Sequence, residues 1–146
     1  MATHKLRPSR DQIGLRVAHD VSERATCGRR KVGCLLVNER GHHIATGYNG
    51  VPSGWPHCPD ERACPGLNAE SGSKLDECYA IHAEQNALLQ CADVYKIHTC
   101  YVTVSPCVHC VKLLLNTSCS RIVTSSTYDM RAKELWEQGG RAWVVL

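Results

Sequence analysis

The sequence predicts an α/β fold in which helices cover both faces of a mixed sheet. Three observations carry this prediction. The first two are an apolar hairpin near the N-terminus and the alternation of the later strands with helices. The third is size, because 146 residues, 43% of them hydrophobic, can bury enough surface for one hydrophobic core. We therefore expect residues 1–146 to form a single domain.

The first predicted element is a helix that begins after Ser9. Ser9 and Gln12 have the spacing of a capping box, and Gly28 supplies a signal for the end of the segment. Between them, apolar residues recur at helical intervals, which predicts the buried face of this helix: Ile13, Val17, Ala18, Val21 and Ala25.

A hairpin of two short strands follows. Residues 32–38 are apolar and bounded by turn residues, which is typical of a buried strand, and residues 43–48 return after the turn at Arg40-Gly41. Further along the chain, the periodicity predicts three helices and three strands in alternation: a helix over 80–92, a strand over 100–104, a helix from Pro106 to about Leu115, a strand over 121–125, a helix over 130–138 and a strand over 141–146.

The segment 51–79 shows little helical or strand periodicity. A stretch of that length without regular structure is uncommon inside a compact domain and needs a reason. Metal ligation is a candidate reason, because His57, Cys58, Cys64 and Cys78 all lie in this segment.

Composition excludes several classes of protein. No apolar stretch approaches the roughly 20 residues of a membrane span, and the N-terminus lacks the apolar core of a signal peptide. With ten cysteines and eight histidines, metal binding is favoured over a disulfide framework, and a cytoplasmic location is expected (the host cytoplasm for a viral protein). A net charge of +3 and an aromatic content of 5% are too low for a nucleic-acid-binding surface.

The strongest chemical signal is the tripeptide HAE at 82–84 followed by the pentapeptide PCVHC at 106–110. Cys107 and Cys110 are three residues apart at a helix start, so both thiols face one way, and His82 adds a third ligand. Three protein ligands leave the fourth tetrahedral position to water, which is typical of a catalytic zinc, and Glu84 can move a proton of that water. The alternative is a structural zinc, with Glu84 as a surface charge.

The order of these two motifs is the signature of the zinc-dependent nucleobase deaminases. The chain resembles the deoxycytidylate (dCMP) deaminases of the cytidine deaminase superfamily from about Ile13 to about Tyr128. Besides the zinc signature, the resemblance rests on four segments: Thr26-Cys27 with 29–33 (RRKVG), 47–50 (GYNG), His57-Cys58 and 81–87 (IHAEQNA).

This resemblance implies a three-layer fold with a mixed five-stranded sheet, and homo-oligomers up to a hexamer. It implies zinc-dependent hydrolysis of dCMP to dUMP and ammonia, which supplies dUMP for thymidylate synthesis, with dCTP as activator and dTTP as inhibitor. Glu84 then takes a proton from the zinc-bound water and passes it first to the cytosine ring and then to the leaving amine.

The resemblance also suggests nucleotide contacts. Substrate contacts are expected from Thr26, Arg29, Arg30, Asn49, Ala83, Ser105 and Tyr128, and effector contacts from Asn38, Gly47, Tyr48, Asn49 and Gly50. Plainer alternatives stay open. The basic run at 29–31 can be a solvated charged face, the segment 47–50 can be an ordinary Asn-Gly turn, and Tyr128 can be a partly buried tyrosine.

A second zinc, structural rather than catalytic, is expected in the 51–79 segment. Four protein ligands would close its tetrahedron, and the preferred set is Cys27, Cys58, Cys64 and Cys78, with His57 as a substitute. Cys27 joins this set because the resemblance brings the end of the first helix close to the segment. The other cysteines outside the zinc signature are expected to pack as small hydrophobic residues: Cys34, Cys91, Cys100 and Cys119.

Three functions are compatible with these features. The first is deamination of dCMP, and the second is the same chemistry on dCTP or on another cytosine nucleotide or nucleoside. The third is a zinc-stabilised binding module without turnover. The basic run and the 47–50 segment favour a nucleotide substrate. Glu84 favours an enzyme, because a structural zinc has no use for a neighbouring carboxylate.

Overall fold

A computed structural model of the chain describes residues 6–27, 30–55 and 79–146. In these ranges it contains five strands, four α-helices and one short 3-10 turn. In chain order they are α1 (Arg10–Ser22), β1 (Gly33–Val37), β2 (His43–Tyr48), α2 (Ala83–Gln90), the 3-10 turn (Val94–Lys96), β3 (Thr99–Val102), α3 (Val108–Leu115), β4 (Arg121–Thr124), α4 (Met130–Gln138) and β5 (Ala142–Val145).

The strands form one mixed sheet in the order β2-β1-β3-β4-β5. Strand β1 pairs antiparallel with both β2 and β3, whereas β3, β4 and β5 run parallel to one another. This arrangement confirms the predicted mixed five-stranded sheet. Since β3 and β4 end at the same edge of the sheet, the segments that follow them lie side by side.

Side chains of the sheet alternate between two hydrophobic cores, as the period of a strand requires. Leu35, Tyr101 and Val123 pack against α1 on one face. Cys34, Cys100 and Ile122 lie on the other face, packed with residues of α2, α3 and α4 such as Ala83, Val111 and Trp136. The three layers confirm the predicted architecture. Cys34, Cys100 and Cys119 are fully buried, as expected, and Cys91 is half-buried.

Helix α1 begins where the sequence predicts and ends earlier. The side chain of Ser9 accepts a hydrogen bond from the backbone N–H of Gln12 at 3.1 Å, and the Gln12 side-chain oxygen accepts one from the backbone N–H of Ser9 at 2.8 Å, so the capping box is confirmed. The helix ends at Ser22 rather than at Gly28. Its buried face contains Gly14, where an added Cβ would lie 2.6 Å from the Tyr101 ring, while Ile13 is 37% exposed. The predicted buried face was therefore wrong at Ile13. Hydrophobic periodicity does not count a glycine as buried, and here Gly14 lies against the Tyr101 ring in place of a larger side chain.

The turn between β1 and β2 is held by the side chain of Asn38. Its Oδ1 accepts hydrogen bonds from the backbone N–H groups of Arg40 and His42, each at 3.0 Å. Gly41 has φ +78°, a left-handed conformation that glycine adopts at little cost. The predicted turn at Arg40-Gly41 is confirmed.

Helices α2 and α3 both begin later than predicted. Residues 80–81 are not helical, because Ile81 forms a β-bridge with Gly50, with N–H···O distances of 2.8 and 3.2 Å. His82 (φ −69°, ψ 153°) and Cys107 (φ −79°, ψ 170°) are the extended N-cap residues of α2 and α3. Consequently Pro106 lies before the N-cap rather than at the first helical position.

The C-terminus of α3 is capped by Arg141, which lies at the entrance to β5. Its guanidinium donates to the backbone carbonyls of Leu114, Leu115, Thr117 and Cys119 at 2.7–3.3 Å and lies 5.1 Å from the centroid of the Trp136 ring. These bonds satisfy carbonyls that a helix end leaves without partners. Arg141 thereby fixes the end of the helix whose other end begins at Cys107.

A hydrogen-bonded trio ties α1 to the sheet. Arg121 binds both carboxylate oxygens of Asp11, at 2.8 and 3.1 Å, and the Tyr101 hydroxyl donates to Asp11 at 2.7 Å. The Arg121 hydrogen bond lowers the pKa of Asp11. Burial of Tyr101, together with its hydrogen bond to Asp11, raises the pKa of Tyr101 to about 12.

No helix in the described ranges is both long and apolar enough to cross a membrane.

Candidate metal centre

Three predicted ligands converge where α2, α3 and the carboxyl end of β3 meet. His82 Nδ1 lies 3.3 Å from the Cys110 sulfur and 3.5 Å from the Cys107 sulfur, and all three ligand atoms lie within 4.8 Å of one another. Tetrahedral zinc, with bonds of about 2.3 Å to sulfur and about 2.0 Å to nitrogen, places such atoms about 3.5 Å apart. The three residues therefore fit a zinc ion. In the described ranges no second group of His, Cys, Asp or Glu comes this close together.

Local hydrogen bonds fix the position of His82. The Gln85 side chain accepts a hydrogen bond from the His82 backbone N–H at 2.8 Å, and Asn86 donates to the Tyr48 carbonyl at 2.8 Å. The close seating of α2 on β2 depends on Gly47: a Cβ there would lie 2.9 Å from the Cα of Ala87 and closer still to the carbonyl oxygen of Ala83. The glycine predicted to contact an effector thus has a packing role.

The hydrogen bond between the two cysteines shifts their pKa values in opposite directions. A hydrogen bond from Cys110, with a contribution from His82, lowers the pKa of Cys107 to about 3, and the same bond raises the pKa of Cys110. The bond to Cys107 also raises the pKa of His82. The thiolate is the form of cysteine that binds zinc, and a helix N-terminus favours it. The lowered pKa of Cys107 therefore favours the form that can bind a metal cation.

Glu84 lies on the first turn of α2, two residues after the histidine ligand. Its side chain is only 4% exposed, and this burial raises the pKa of its carboxyl group. A carboxylate buried next to three metal ligands argues against the alternative of a surface charge. It is placed to exchange protons with a ligand of the metal.

Ser105 lies between the end of β3 and the cysteine pair. It is 3% exposed, and in the described ranges its hydroxyl is the one buried side-chain oxygen or nitrogen without a hydrogen-bond partner. An unsatisfied buried hydroxyl costs free energy unless a ligand or water completes it. Its position supports the predicted substrate contact.

Several other predicted substrate residues lie near one another. The Asn49 side chain is buried, accepts from the Val32 N–H at 2.8 Å and donates to the Arg30 carbonyl at 2.6 Å. The Arg30 guanidinium lies 5.0 Å from the centroid of the Tyr128 ring, and that tyrosine is 53% exposed. Thr26 bonds the Asn49 carbonyl through its N–H at 3.2 Å. Asn49 therefore positions the backbone that carries Arg30.

The predicted effector residues do not form one site within the chain. Gly47 and Tyr48 lie opposite Cys34 and Gly33 in the β1–β2 pairing. Asn38 follows the other end of β1, five residues after Gly33, which corresponds to about 17 Å of strand. The hairpin therefore holds the 47–50 segment next to α2 and holds Asn38 at the far edge of the sheet.

The predicted second zinc falls mostly outside the described residues. His57, Cys58, Cys64 and Cys78 lie there, and so does Arg29. Cys27 is described and has a half-buried free thiol.

Ala83, one of the predicted substrate contacts, is fully buried in the core beside Gly47.

Sequence reasoning missed the residues that support the ligands. Gln85 holds the backbone of His82, and Thr103 accepts a hydrogen bond from the Gly33 N–H at 3.1 Å, which joins β1 to the segment leading to the cysteine pair. The spacing of His82 and Gln85 is that of a capping box. It was overlooked because histidine is not a usual N-cap residue.

Comparison with known proteins gives a consistent set of matches. Residues 8–126 match the family model described as the cytidine and deoxycytidylate deaminase zinc-binding region. The chain is 37% identical over 132 residues to a deoxycytidylate deaminase of Schizosaccharomyces pombe, covering 87% of this chain and 40% of that protein. It is 38% identical over 123 residues to the deoxycytidylate deaminase of Mycobacterium phage D29, covering 80% of this chain and 94% of the phage protein.

Among solved structures, the apo dCMP deaminase of the cyanophage S-TIM5 superposes with a TM-score of 0.75 at 25% identity, over 96% of this chain and 99% of that one. The chain spans only 40% of the length of the yeast relatives.

Proposed function

Because the chain belongs to the cytidine and deoxycytidylate deaminase zinc-binding family, we propose that it hydrolyses dCMP to dUMP and ammonia. The observation that carries this proposal is the position of a buried glutamate, Glu84, beside a histidine and two cysteines at zinc-binding distances. The named relatives that match at 37% and 38% identity are deoxycytidylate deaminases, which supports the choice of dCMP over other cytosine compounds.

The metal would be held by His82, Cys107 and Cys110, and when bound it supplies a water molecule of lowered pKa as the nucleophile. Glu84 would accept one proton from the attacking water and deliver it to N3 of the cytosine ring as the water oxygen adds to C4. It would then take the remaining proton of that oxygen and donate it to the amine, so that the C4 carbonyl forms as the C4–N bond breaks. The carboxyl group can both accept and donate a proton, because burial raises its pKa. The raised pKa brings its proton affinity closer to that of the groups with which it exchanges protons. Water enters and ammonia leaves, so the reaction consumes no other reactant.

Arg30 and Tyr128 are the proposed phosphate anchor. The ring of Tyr128 lies under the Arg30 guanidinium, and the Asn49 side chain fixes the backbone of Arg30, so the forked donors are held in place for phosphate oxygens. We place Thr26, Asn49, Ala83 and Ser105 along the rest of the nucleotide, with Arg29 as a second cation. The alternative function is the same chemistry on dCTP or on another cytosine nucleotide or nucleoside.

Further features are proposed on the strength of the family relationship. We propose a homohexamer in the cytoplasm, or in the host cytoplasm for a viral protein, that supplies dUMP for thymidylate synthesis, with dCTP as activator and dTTP as inhibitor through the 47–50 segment. We also propose a structural zinc on Cys27, Cys58, Cys64 and Cys78, with His57 as the substitute. All these features would reside in a single domain of residues 1–146.

The test is ammonia release from dCMP, dCTP, deoxycytidine and CMP by zinc-loaded protein, each with and without dCTP or dTTP. We expect turnover of dCMP, and loss of at least about 10²-fold in Glu84→Gln with zinc content unchanged. The matched control is Glu134→Gln, which makes the same change on an exposed position of α4 and should retain full activity. Turnover that survives in Glu84→Gln would remove this residue from catalysis, and silence on all four substrates would refute the deaminase.

A further inference from the structure

The loop between β4 and α4, residues 125–129, lies at the same edge of the sheet as the metal centre. Strand β4 runs parallel to β3 and ends beside it, so the loop lies next to the segment that leads from β3 to the cysteine pair. Strand β1 runs in the opposite direction and begins at this edge. The residues before β1 therefore reach the loop across the end of β3, and the Arg30 guanidinium lies 5.0 Å from the centroid of the Tyr128 ring.

Tyr128 is exposed, but the chain is held on both sides of it. On the N-terminal side, the indole N–H of Trp143 donates to the hydroxyl of Thr127 at 2.8 Å. On the other side, the Asp129 carboxylate accepts hydrogen bonds from two backbone N–H groups in the first turn of α4, at 3.1 and 3.2 Å. These bonds restrict the backbone that carries the ring of Tyr128, and they thereby define where the ring lies relative to Arg30.

The bond from Trp143 joins parts of the chain that are remote in sequence. Trp143 lies on β5 opposite Ile122 of β4, and its half-buried ring packs against the core beneath α2, α3 and α4. The indole N–H of a packed tryptophan usually finds a hydrogen-bond partner, and here that partner is the Thr127 hydroxyl. The bonds of Asp129, by contrast, are those of an ordinary helix N-cap. Trp143 therefore fixes the loop relative to the sheet, at the edge where Arg30 lies.

We propose that Trp143 and Thr127 are positioning residues for the phosphate anchor that Arg30 and Tyr128 form. The proposal rests on the proposed function, because it requires that the phosphate of dCMP binds at this pair. With the bond intact, the ring stays against the guanidinium and the donors are in place before the nucleotide arrives. Without the bond, binding must also order the loop, and this cost weakens the affinity for the phosphorylated substrate. The metal ligands lie at the starts of α2 and α3 instead, so turnover of the bound substrate should change little.

The test is the steady-state kinetics of ammonia release from dCMP by the zinc-loaded chain. Trp143→Phe removes the indole N–H and keeps an aromatic ring, and Thr127→Val removes the hydroxyl and keeps the shape of the side chain. Each variant should raise the KM for dCMP by about three- to tenfold, as the loss of one hydrogen bond predicts, and change kcat by less than about twofold. Thr127→Ser keeps the hydroxyl and should behave as the wild type does.

The matched control is Trp136→Phe, which makes the same chemical change in the second half of α4. The indole N–H of Trp136 donates to the Ala142 carbonyl at 2.7 Å, and the residue is fully buried. The control should therefore lower Tm at least as much as Trp143→Phe does and leave the KM for dCMP unchanged. An equal rise of KM in the control would mean that general destabilisation weakens binding, and it would overturn the positioning role.

A double variant shows whether the effect passes through the anchor. In Tyr128→Ala, which removes the ring, the further change Trp143→Phe should not raise the KM for dCMP again, because both changes act on one contact. Additive effects, or a KM that neither Trp143→Phe nor Thr127→Val changes, would overturn the positioning role and leave the deaminase activity standing. Absence of dCMP turnover in the wild type would instead refute the proposed function, and the positioning role with it.

Discussion

Replacing Gly47 with alanine is the sharpest test of how the metal centre is held. The added Cβ would lie 2.9 Å from the Cα of Ala87 and closer still to backbone atoms of Ala83 and Ala87, whereas favourable carbon contacts lie at about 3.5–4.0 Å. These neighbours are helix backbone and cannot rotate away, so α2 must move from β2 by roughly 1 Å. His82 and Glu84 move with it.

Two effects of this displacement can be measured. Forcing an extra methyl group into a packed core costs about 1–3 kcal/mol, and a cost of about 2 kcal/mol lowers Tm by about 4–8 °C in a domain of this size. A displacement of about 1 Å in a catalytic group can reduce the rate by about 10²-fold. We therefore expect Gly47→Ala to lower both Tm, measured by scanning calorimetry, and kcat/KM for dCMP.

Gly139→Ala is the matched control. Gly139 has φ −73°, which alanine adopts readily. Its new Cβ would meet the terminal Cδ2 of Leu115 at 3.0 Å, a side-chain end that can shift, and the carbonyl oxygen of Trp136 at 3.3 Å. This variant should change Tm by much less. If Gly47→Ala kept its Tm within about 1 °C of the wild type and retained full turnover, the close seating of α2 on β2 would not position the centre, and the reasoning would be wrong.

Three further predictions follow from other contacts. Arg30→Ala should raise the KM for dCMP and leave that for deoxycytidine unchanged, because the nucleoside has no phosphate; equal effects on both would exclude a phosphate anchor. The raised pKa of Tyr101, about 12 in the folded protein against 10.0 for the free side chain, means that its stabilising effect is complete below about pH 10 and is lost as pH rises towards 12. The stability advantage of the wild type over Tyr101→Phe, measured by denaturant unfolding, should therefore shrink across this interval, and a constant difference would contradict the shift. Arg141→Met should lower the free energy of unfolding by about 1.5–3 kcal/mol, with Arg141→Lys recovering less than half, because one ammonium group cannot reach the carbonyls that the guanidinium binds.

Local sequence signals predicted the parts of the fold that depend on neighbours in the chain. The capping box at Ser9 and Gln12, the strand over 43–48 and the helix over 130–138 agree with the structure at the residue level. The metal ligands could be identified because the chemistry requires particular residue types at fixed spacing. Their convergence depends on the packing of α2 and α3 on the same face of the sheet and on the bridge between Gly50 and Ile81.

The differences occur where distant segments decide the local conformation. The start of α2 is set by the β-bridge between Ile81 and Gly50, which periodicity within 80–92 cannot reveal. The supporting role of Asn49 depends on the backbone of residues 30–32, and the burial of Gly14 depends on the ring of Tyr101. In each case the decisive partner is remote in sequence, and its position depends on the assembled sheet.

The bridge between Gly50 and Ile81 has a consequence for how the chain can vary in length. It joins the two ends of the 30 intervening residues immediately before His82. The entropy of closing such a loop grows only with the logarithm of its length, and doubling the length costs about 0.6 kcal/mol. Insertions and deletions in this interval can therefore accumulate at small cost while the histidine ligand stays in register with the cysteine pair, which makes the interval a natural place for diversification among relatives.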